Sequence, residues 1–404
     1  MIQCRILSSK MALIIIIEMF IVEIANAQTE QNRQSELRAN ELSAYMDKLT
    51  TDGLFSGAVL VAKGDVILFE KAYGMADKNQ NIPNHVDTKF NLGSIAKTFT
   101  AIAIAKLVEQ GKLSFDDVIK KYTDVFPDEV ASKITIGQLL THTSGLGNIF
   151  TPAYMENKDE VETVDEFMSY IINQSLSFEP GERHEYSNGG FIVLGHIIEK
   201  VSGENYYDYI RKHITEPLGM NNTGFYKKTE QIPNLARGYT RPQGDGQPQG
   251  IRLLPPPTDG QPRPQGERQP QRMPPPTDED GNTVRTDNFF TLPLIGNPSG
   301  GAYSTISDML KFSSALTNNT LLSKEHTGIV LNGKVKTPIG AYGYGFEVLM
   351  ENNRQVVGHS GGAPGISALF RIFIDDDYTI IILSNYDSAT RGLYEEIMKR
   401  YIMY

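Results

Sequence analysis

The chain has 404 residues, 40% of them hydrophobic and 21% charged, which is enough apolar content for a sizeable packed core. Its formal net charge is −10 and no Lys/Arg cluster stands out, which argues against nucleic acid as a partner. Cys4 is the only cysteine, so a chain shortened past it forms no disulfide and offers no thiol nucleophile or cysteine metal site.

At the N-terminus, Arg5 and Lys10 precede an apolar run over 11–24, and Ala25-Asn26-Ala27 fits a small-residue cleavage site. This pattern predicts a signal peptide over 1–27, a mature domain over 28–404, and a periplasmic or secreted location. Glu18 and Glu23 interrupt the apolar run and oppose a stable membrane span. Residues 28–41 are polar and read as frayed. Residues 55–72 alternate as two strands around the turn Lys63-Gly64-Asp65. Residues 94–110 read as a helix with apolar Ile95, Phe99, Ile102 and Leu107, stopped at Gly111. Helical patterns recur over 161–173, 188–201 and 205–216. Residues 241–282 are rich in Pro, Gln and Gly and carry Pro-Pro-Pro-Thr-Asp twice, at 255–259 and 274–278. So few large apolar residues cannot offset the entropy of ordering, and the segment reads as an exposed, disordered loop. Thr305-Ile-Ser-Asp308 opens a further helix to about Leu316. Strand patterns then cover 345–350, 355–359, 365–374 and 378–385, and a last helix covers 389–401. The predicted fold is α+β. An antiparallel sheet is built from both termini and flanked by helices, with an inserted all-helical subdomain and a cleft between them.

Three motifs carry the chemistry: Ser94-Ile-Ala-Lys97, Tyr186-Ser-Asn188 and His359-Ser-Gly361. Ser94 meets a helix N-terminus, where unpaired N–H groups and a positive field favour a developing anion. Lys97 lies one turn along the same face, and a lysine in a partly dry site can lose its proton near neutral pH. Tyr186, with its anion favoured by Lys97, can pass protons to a leaving group. Asn188 can bind Lys97 and a substrate carbonyl at once. His326-Thr327-Gly328 also fits H-x-G, but only His359 opens a strand directly, that over 365–374. The His359 imidazole or the Ser360 hydroxyl could bind a substrate carboxylate, and Gly361 and Gly362 allow close approach to backbone N–H groups. If His359 binds a carboxylate, activity on carboxylate substrates rises as pH falls toward 6. Each motif alone also fits an ordinary structural role; their conjunction points to a serine acyl-transfer site with Lys or Tyr as base.

With these motifs, the chain resembles the serine β-lactamase and penicillin-binding-protein family, in its class C-like branch. The resemblance covers most of 55–389. It includes Phe90-Asn-Leu-Gly-Ser94, Leu139-Leu-Thr-His-Thr-Ser-Gly-Leu146, Phe178-Glu-Pro-Gly181, Pro298-Ser-Gly-Gly301 and Gly358-His-Ser-Gly-Gly362. It implies that Ser94 is acylated, that Lys97 and Tyr186 share the base role, and that the N–H groups of Ser94 and Gly362 form the oxyanion hole. It implies no metal and no cofactor. The expected substrate is a small molecule or peptide: an ester, a D-amino-acid amide or a β-lactam. Class C β-lactamases carry K-T-G at the third motif, so His359 points away from a dedicated β-lactamase and toward carboxypeptidase-like or esterase-like members. The rival reading is a non-turnover β-lactam or cell-wall sensor.

Overall fold

A computed structural model describes Glu30, residues 33–241 and residues 284–403. The expected signal peptide and nearly all of the Pro-rich loop lie outside the described residues. Helix α1 (33–51) replaces the frayed start expected over 28–41. Leu42 and Met46 are fully buried and Ala39, Tyr45 and Leu49 pack beside them, a stripe at helical spacing along an otherwise polar sequence.

Strands β1 (Gly57–Lys63) and β2 (Val66–Tyr73) form the expected hairpin. Six later strands complete an antiparallel sheet: β3 (Val335–Thr337), β4 (Gly340–Tyr342), β5 (Glu347–Glu351), β6 (Arg354–Ala363), β7 (Ile366–Phe373) and β8 (Tyr378–Ser384). The order is β2-β1-β8-β7-β6-β5-β4-β3, so the two ends of the chain meet where β1 pairs with β8, with Val59 opposite Ile382. Both faces of the sheet centre are covered. Ala58, Leu60, Ile381, Leu383 and Phe370 face the main core, while Val59, Val61, Ile380 and Ile382 face α1 and α9 (Arg391–Tyr401). A strand buried on both faces reads as a continuous apolar run rather than as alternation.

The inserted helices lie between β2 and β3. The longest are α2 (Lys97–Glu109), α5 (Asn188–Ser202) and α7 (Ile306–Thr317); between α2 and α5 come the short α3 (Ile136–Leu140) and α4 (Val164–Ser169). Residues 101–105 of α2 are wholly buried, as befits a helix through the middle of a core. Phe99 of α2 stands edge-on to Phe312 of α7, ring centres 4.9 Å apart. Thr305 caps α7 by accepting from the Asp308 N–H at 3.1 Å. The helix read over 161–173 is shorter, starting at a Thr163/Glu166 capping box. That over 205–216 splits into α6 (Tyr206–Ile210) and a wider turn, Arg211–Thr215. Among the described residues no helix is long and apolar enough to cross a membrane.

Candidate active site

Phe90–Asn91 pairs with Tyr303–Ser304 just ahead of a short 3₁₀ turn, Gly93–Ala96, which leads into α2. Gly93 has a φ of +52°, and a side chain there would run into the Gly362 N–H, so the turn needs glycine. Ser94 is therefore presented on the turn while Lys97, the first residue of α2, points inward and is wholly buried.

The Lys97 amine has three neutral neighbours. Its Nζ is 2.5 Å from the Ser299 carbonyl oxygen, 2.7 Å from Asn188 Oδ1 and 3.3 Å from Ser94 Oγ. The Ser299 carbonyl is fixed because the Ser299 N–H and hydroxyl both donate to Asn297 Oδ1. The Asn188 amide is oriented by its own Nδ2, which donates to Asn148 Oδ1 at 2.7 Å. Burial without a counter-charge pushes the Lys97 amine well below the ordinary lysine range. A neutral amine has two N–H donors and one lone pair. Ser299 and Asn188 can only accept, so they take the two donors and leave the lone pair for the Ser94 hydroxyl.

Tyr186 lies just before α5, with the Lys97 Nζ 4.7 Å from its ring centre. The residue is 37% exposed, but its phenol end lies in the cluster beside Ser94. Burial there pushes the phenol up, against the opposing effect of the Ser94 hydroxyl. This corrects the expectation that Lys97 favours a phenolate. Desolvation dominates over any pull from Lys97, and Tyr186 rests protonated.

The third motif departs from its sequence reading. His359 does not open a strand; it lies within β6, which continues to Ala363. A cluster of glycines reads as a break, yet here it lets the strand pass over the turn, since a side chain at Gly361 would overlap the Leu92 carbonyl. Pairing of β6 with β5 stops at Gly358, whereas pairing with β7 continues to Ala363. Beyond Gly358 one edge of β6 is therefore open toward Gly93 and Ser94. The Ser360 N–H points along this edge to Glu347 Oε1, and the Gly362 N–H, two residues on, points the same way.

His359 is 1% exposed. Its Nδ1 lies 2.6 Å from the Ser360 carbonyl, so Nδ1 carries the proton and donates, while Nε2 accepts from the Tyr342 hydroxyl at 2.8 Å. Burial lowers its imidazole to about 4, despite the Glu347 carboxylate nearby. The Ser360 hydroxyl donates to Glu347 Oε1 at 2.6 Å, and Glu347 Oε2 pairs with Arg371 at 2.5 Å. Both side chains expected to meet a substrate carboxylate thus already have protein partners. An imidazole neutral at pH 6 also removes the basis for a rise in activity toward that pH. The competing His326 sits in α8 (Lys324–Leu331) beside Glu109, at the end of α2, about 18 Å along that helix from Lys97.

The structure therefore brings together Ser94, Lys97, Tyr186, Asn188 and the backbone of Gly361–Gly362, and sets His359 and Ser360 behind them. Sequence reasoning missed the partners Asn148, Ser299, His142, Tyr342, Glu347 and Arg371 as site residues. His142 and Ser299 stand inside conspicuous motifs; the others lack a local signal. Among the described residues no group of His, Cys, Asp and Glu could hold a metal ion.

A large antiparallel sheet against a helical region, with Ser and Lys one turn apart at their junction, defines a class of serine hydrolases. The family model described as Beta-lactamase matches residues 40–398, so the chain belongs to the beta-lactamase family and is a serine hydrolase of it. It is 29% identical over 363 residues to a penicillin-binding protein of Bacillus subtilis (strain 168), covering 87% of this chain and 73% of that protein. It is 25% identical to the teichoic acid D-alanine hydrolase of Staphylococcus aureus (strain NCTC 8325 / PS 47), covering 88% and 77%. The crystal structure of a penicillin-binding protein from Bacillus halodurans superposes with a TM-score of 0.71 at 27% identity, covering 89% of this chain and 98% of that one.

Proposed function

We propose that the chain is an exported hydrolase that cleaves an ester or amide through an acyl-enzyme on Ser94. The observation that carries this reading is the neutral surrounding of Lys97, which leaves the amine lone pair for the Ser94 hydroxyl. In the first step the Ser94 oxygen attacks the substrate carbonyl carbon as its proton moves to Lys97 Nζ. The oxyanion forms against the N–H groups of Ser94 and Gly362, on the open edge of β6. The proton then passes through the Tyr186 hydroxyl to the leaving alcohol or amine. In the second step water attacks the acyl carbon as one of its protons moves to the Lys97–Tyr186 pair. The pair passes that proton to the Ser94 oxygen as the acyl bond breaks, releasing the acid product and the free Ser94 hydroxyl. Asn188 holds Lys97, and Gly361 lets β6 lie against the turn that carries Ser94.

Similarity to a D-alanine hydrolase and to penicillin-binding proteins supports substrates such as D-alanyl esters or amides. The lack of a fixed cation at His359 supports small esters and amides over β-lactams. Export rests on the N-terminal pattern; residues 28–404 are read as one catalytic domain with an accessory Pro-rich loop. The test is intact-protein mass after mixing with a fluorescent penicillin, a D-alanyl ester and a p-nitrophenyl ester. A transient adduct with turnover, absent in Ser94→Ala, supports the reading. Loss of Ser94 is expected to cost on the order of 10⁴ or more in rate. A permanent adduct with no turnover would favour a sensor, and near-normal activity of Ser94→Ala would remove the reading altogether.

A further inference from the structure

His142 is the residue after the C-cap of α3, in a left-handed conformation with φ +58°. The Thr143 N–H reaches the Gln138 carbonyl and the His142 N–H the Leu139 carbonyl, the hydrogen-bond pattern that usually places glycine or asparagine at this point. A histidine there accepts a backbone cost that glycine would avoid, so its side chain is the feature to explain.

That side chain is 1% exposed and is turned onto the segment that carries Tyr186. Its Nδ1 accepts from the Ser187 N–H at 3.2 Å, and its carbonyl accepts from the Glu185 N–H at 2.9 Å. The imidazole stacks on the Tyr186 ring, centres 4.2 Å apart and planes 38° apart. Phe191 at 5.1 Å, Tyr342 at 4.7 Å and His184 at 5.8 Å enclose the rest of the ring. The two residues flanking Tyr186 are thus hydrogen-bonded to His142 and the ring between them is stacked on it.

We propose that His142 is a positioning residue that fixes the Tyr186 hydroxyl over Ser94 by clamping residues 185–187. It acts through Tyr186 and touches no reacting atom. The inference rests on the reading that Tyr186 takes part in proton transfer. The clamp requires Nδ1 to stay an acceptor. The titratable groups around it are Lys97 from α2, His184 and Tyr186 from the segment before α5, Tyr342 from β4 and His359 from β6. None of them is an anion near neutral pH, and burial holds the imidazole well below the ordinary histidine range, so it stays neutral. The second nitrogen, Nε2, then bears the proton and has no partner among the described residues.

The test is a double-mutant cycle on the full chain, read by single-turnover acylation of Ser94 with a p-nitrophenyl ester. Substitution His142→Gly keeps the left-handed turn and removes both clamp and stack. It is expected to lower the acylation rate about tenfold or more with the half-saturating ester concentration nearly unchanged. Because it also empties a buried space between rings, it lowers thermal stability, and the rates are read well below the variant's melting temperature. His142→Asn suits the turn and offers Oδ1 to the Ser187 N–H, so it should recover part of the rate. On a Tyr186→Phe background His142→Gly should cost less than about twofold more, because the group it positions is gone. If the losses multiply, or if Asn gives no recovery, the positioning role is wrong while the role of Tyr186 stands. If Tyr186→Phe alone acylates at the wild-type rate, both fall. Should the Gly variant fail to fold, the cycle is run with Asn, whose loss must likewise vanish on Tyr186→Phe.

Discussion

Two buried polar clusters flank the site, one on the helical side and one on the sheet side, and they handle buried charge in opposite ways. On the helical side, Lys97 is surrounded by a carbonyl, an amide oxygen and a hydroxyl, so its ammonium form has no counter-ion and the proton is easily lost. On the sheet side, Glu347 meets Arg371 at 2.5 Å and the Ser360 hydroxyl at 2.6 Å. Burial pushes the Glu347 carboxyl up, but Arg371, with the hydrogen bonds and His359, brings it down to about 2. An unpaired buried cation becomes a base; a paired buried anion stays a fixed strut under the strand that supplies the Gly362 N–H.

Breaking the strut gives the largest expected change in stability. Glu347→Leu leaves the Arg371 guanidinium buried without its carboxylate and should cost ~3–5 kcal/mol in denaturant unfolding. The double variant Glu347→Leu/Arg371→Met should recover much of that loss. A single variant as stable as wild type would mean that the pair does not hold β6.

A smaller effect follows from pH. The His359 imidazole sits at about 4 in the folded protein and near 6.5 when unfolded. Between these values the unfolded chain binds more protons, so stability falls as pH drops from 6.5 to 4, by about 3 kcal/mol from this group. His142, also lowered, acts in the same direction. Glu347, lowered instead from the carboxylate range, adds its loss only as pH falls from about 4.5 toward 2. His359→Gln should make the loss between pH 6.5 and 4 shallower. An unchanged slope would mean that His359 titrates normally and is open to solvent.

The smallest effect concerns residues 242–283. Tyr239–Thr240 pairs with Thr286–Asp287, so the two ends of this segment are already held together. Loop-closure cost changes slowly with length, and a short Gly/Ser linker in its place should move the melting temperature by no more than a degree or two. A large drop would show that the segment packs on the body.

Much of the frame was legible because it is local. The Thr305 cap and the apolar strands β7 and β8 each carry their signal within ten residues, and the β1–β2 hairpin carries its own between Gly57 and Tyr73. The order of the three motifs likewise pointed to residues that meet around Ser94. Helix α1 was missed because its buried stripe is thin and its surroundings are polar. The mid-strand place of His359 was missed because glycines read as punctuation unless the neighbouring turn is known. Glu347–Arg371 and His142–Ser187 join residues far apart in the chain, 24 and 45 positions, where no period or spacing announces them. The charge states of Lys97 and Tyr186 depend on burial and on the absence or presence of counter-charges, which only the assembled site determines.

The central claim is that an uncharged Lys97 activates Ser94. Its most direct test is an NMR titration of isotope-labelled lysine in the intact enzyme, with the Lys97 signal assigned by its loss in Lys97→Arg. The pH dependence of Ser94 acylation is measured on the same preparation. The account predicts that Lys97 loses its proton well below the ordinary lysine value of about 10.4, and that acylation rises with the same midpoint. A Lys97 that stays an ammonium up to about pH 10, while Ser94 is acylated at full rate near neutral pH, would contradict it.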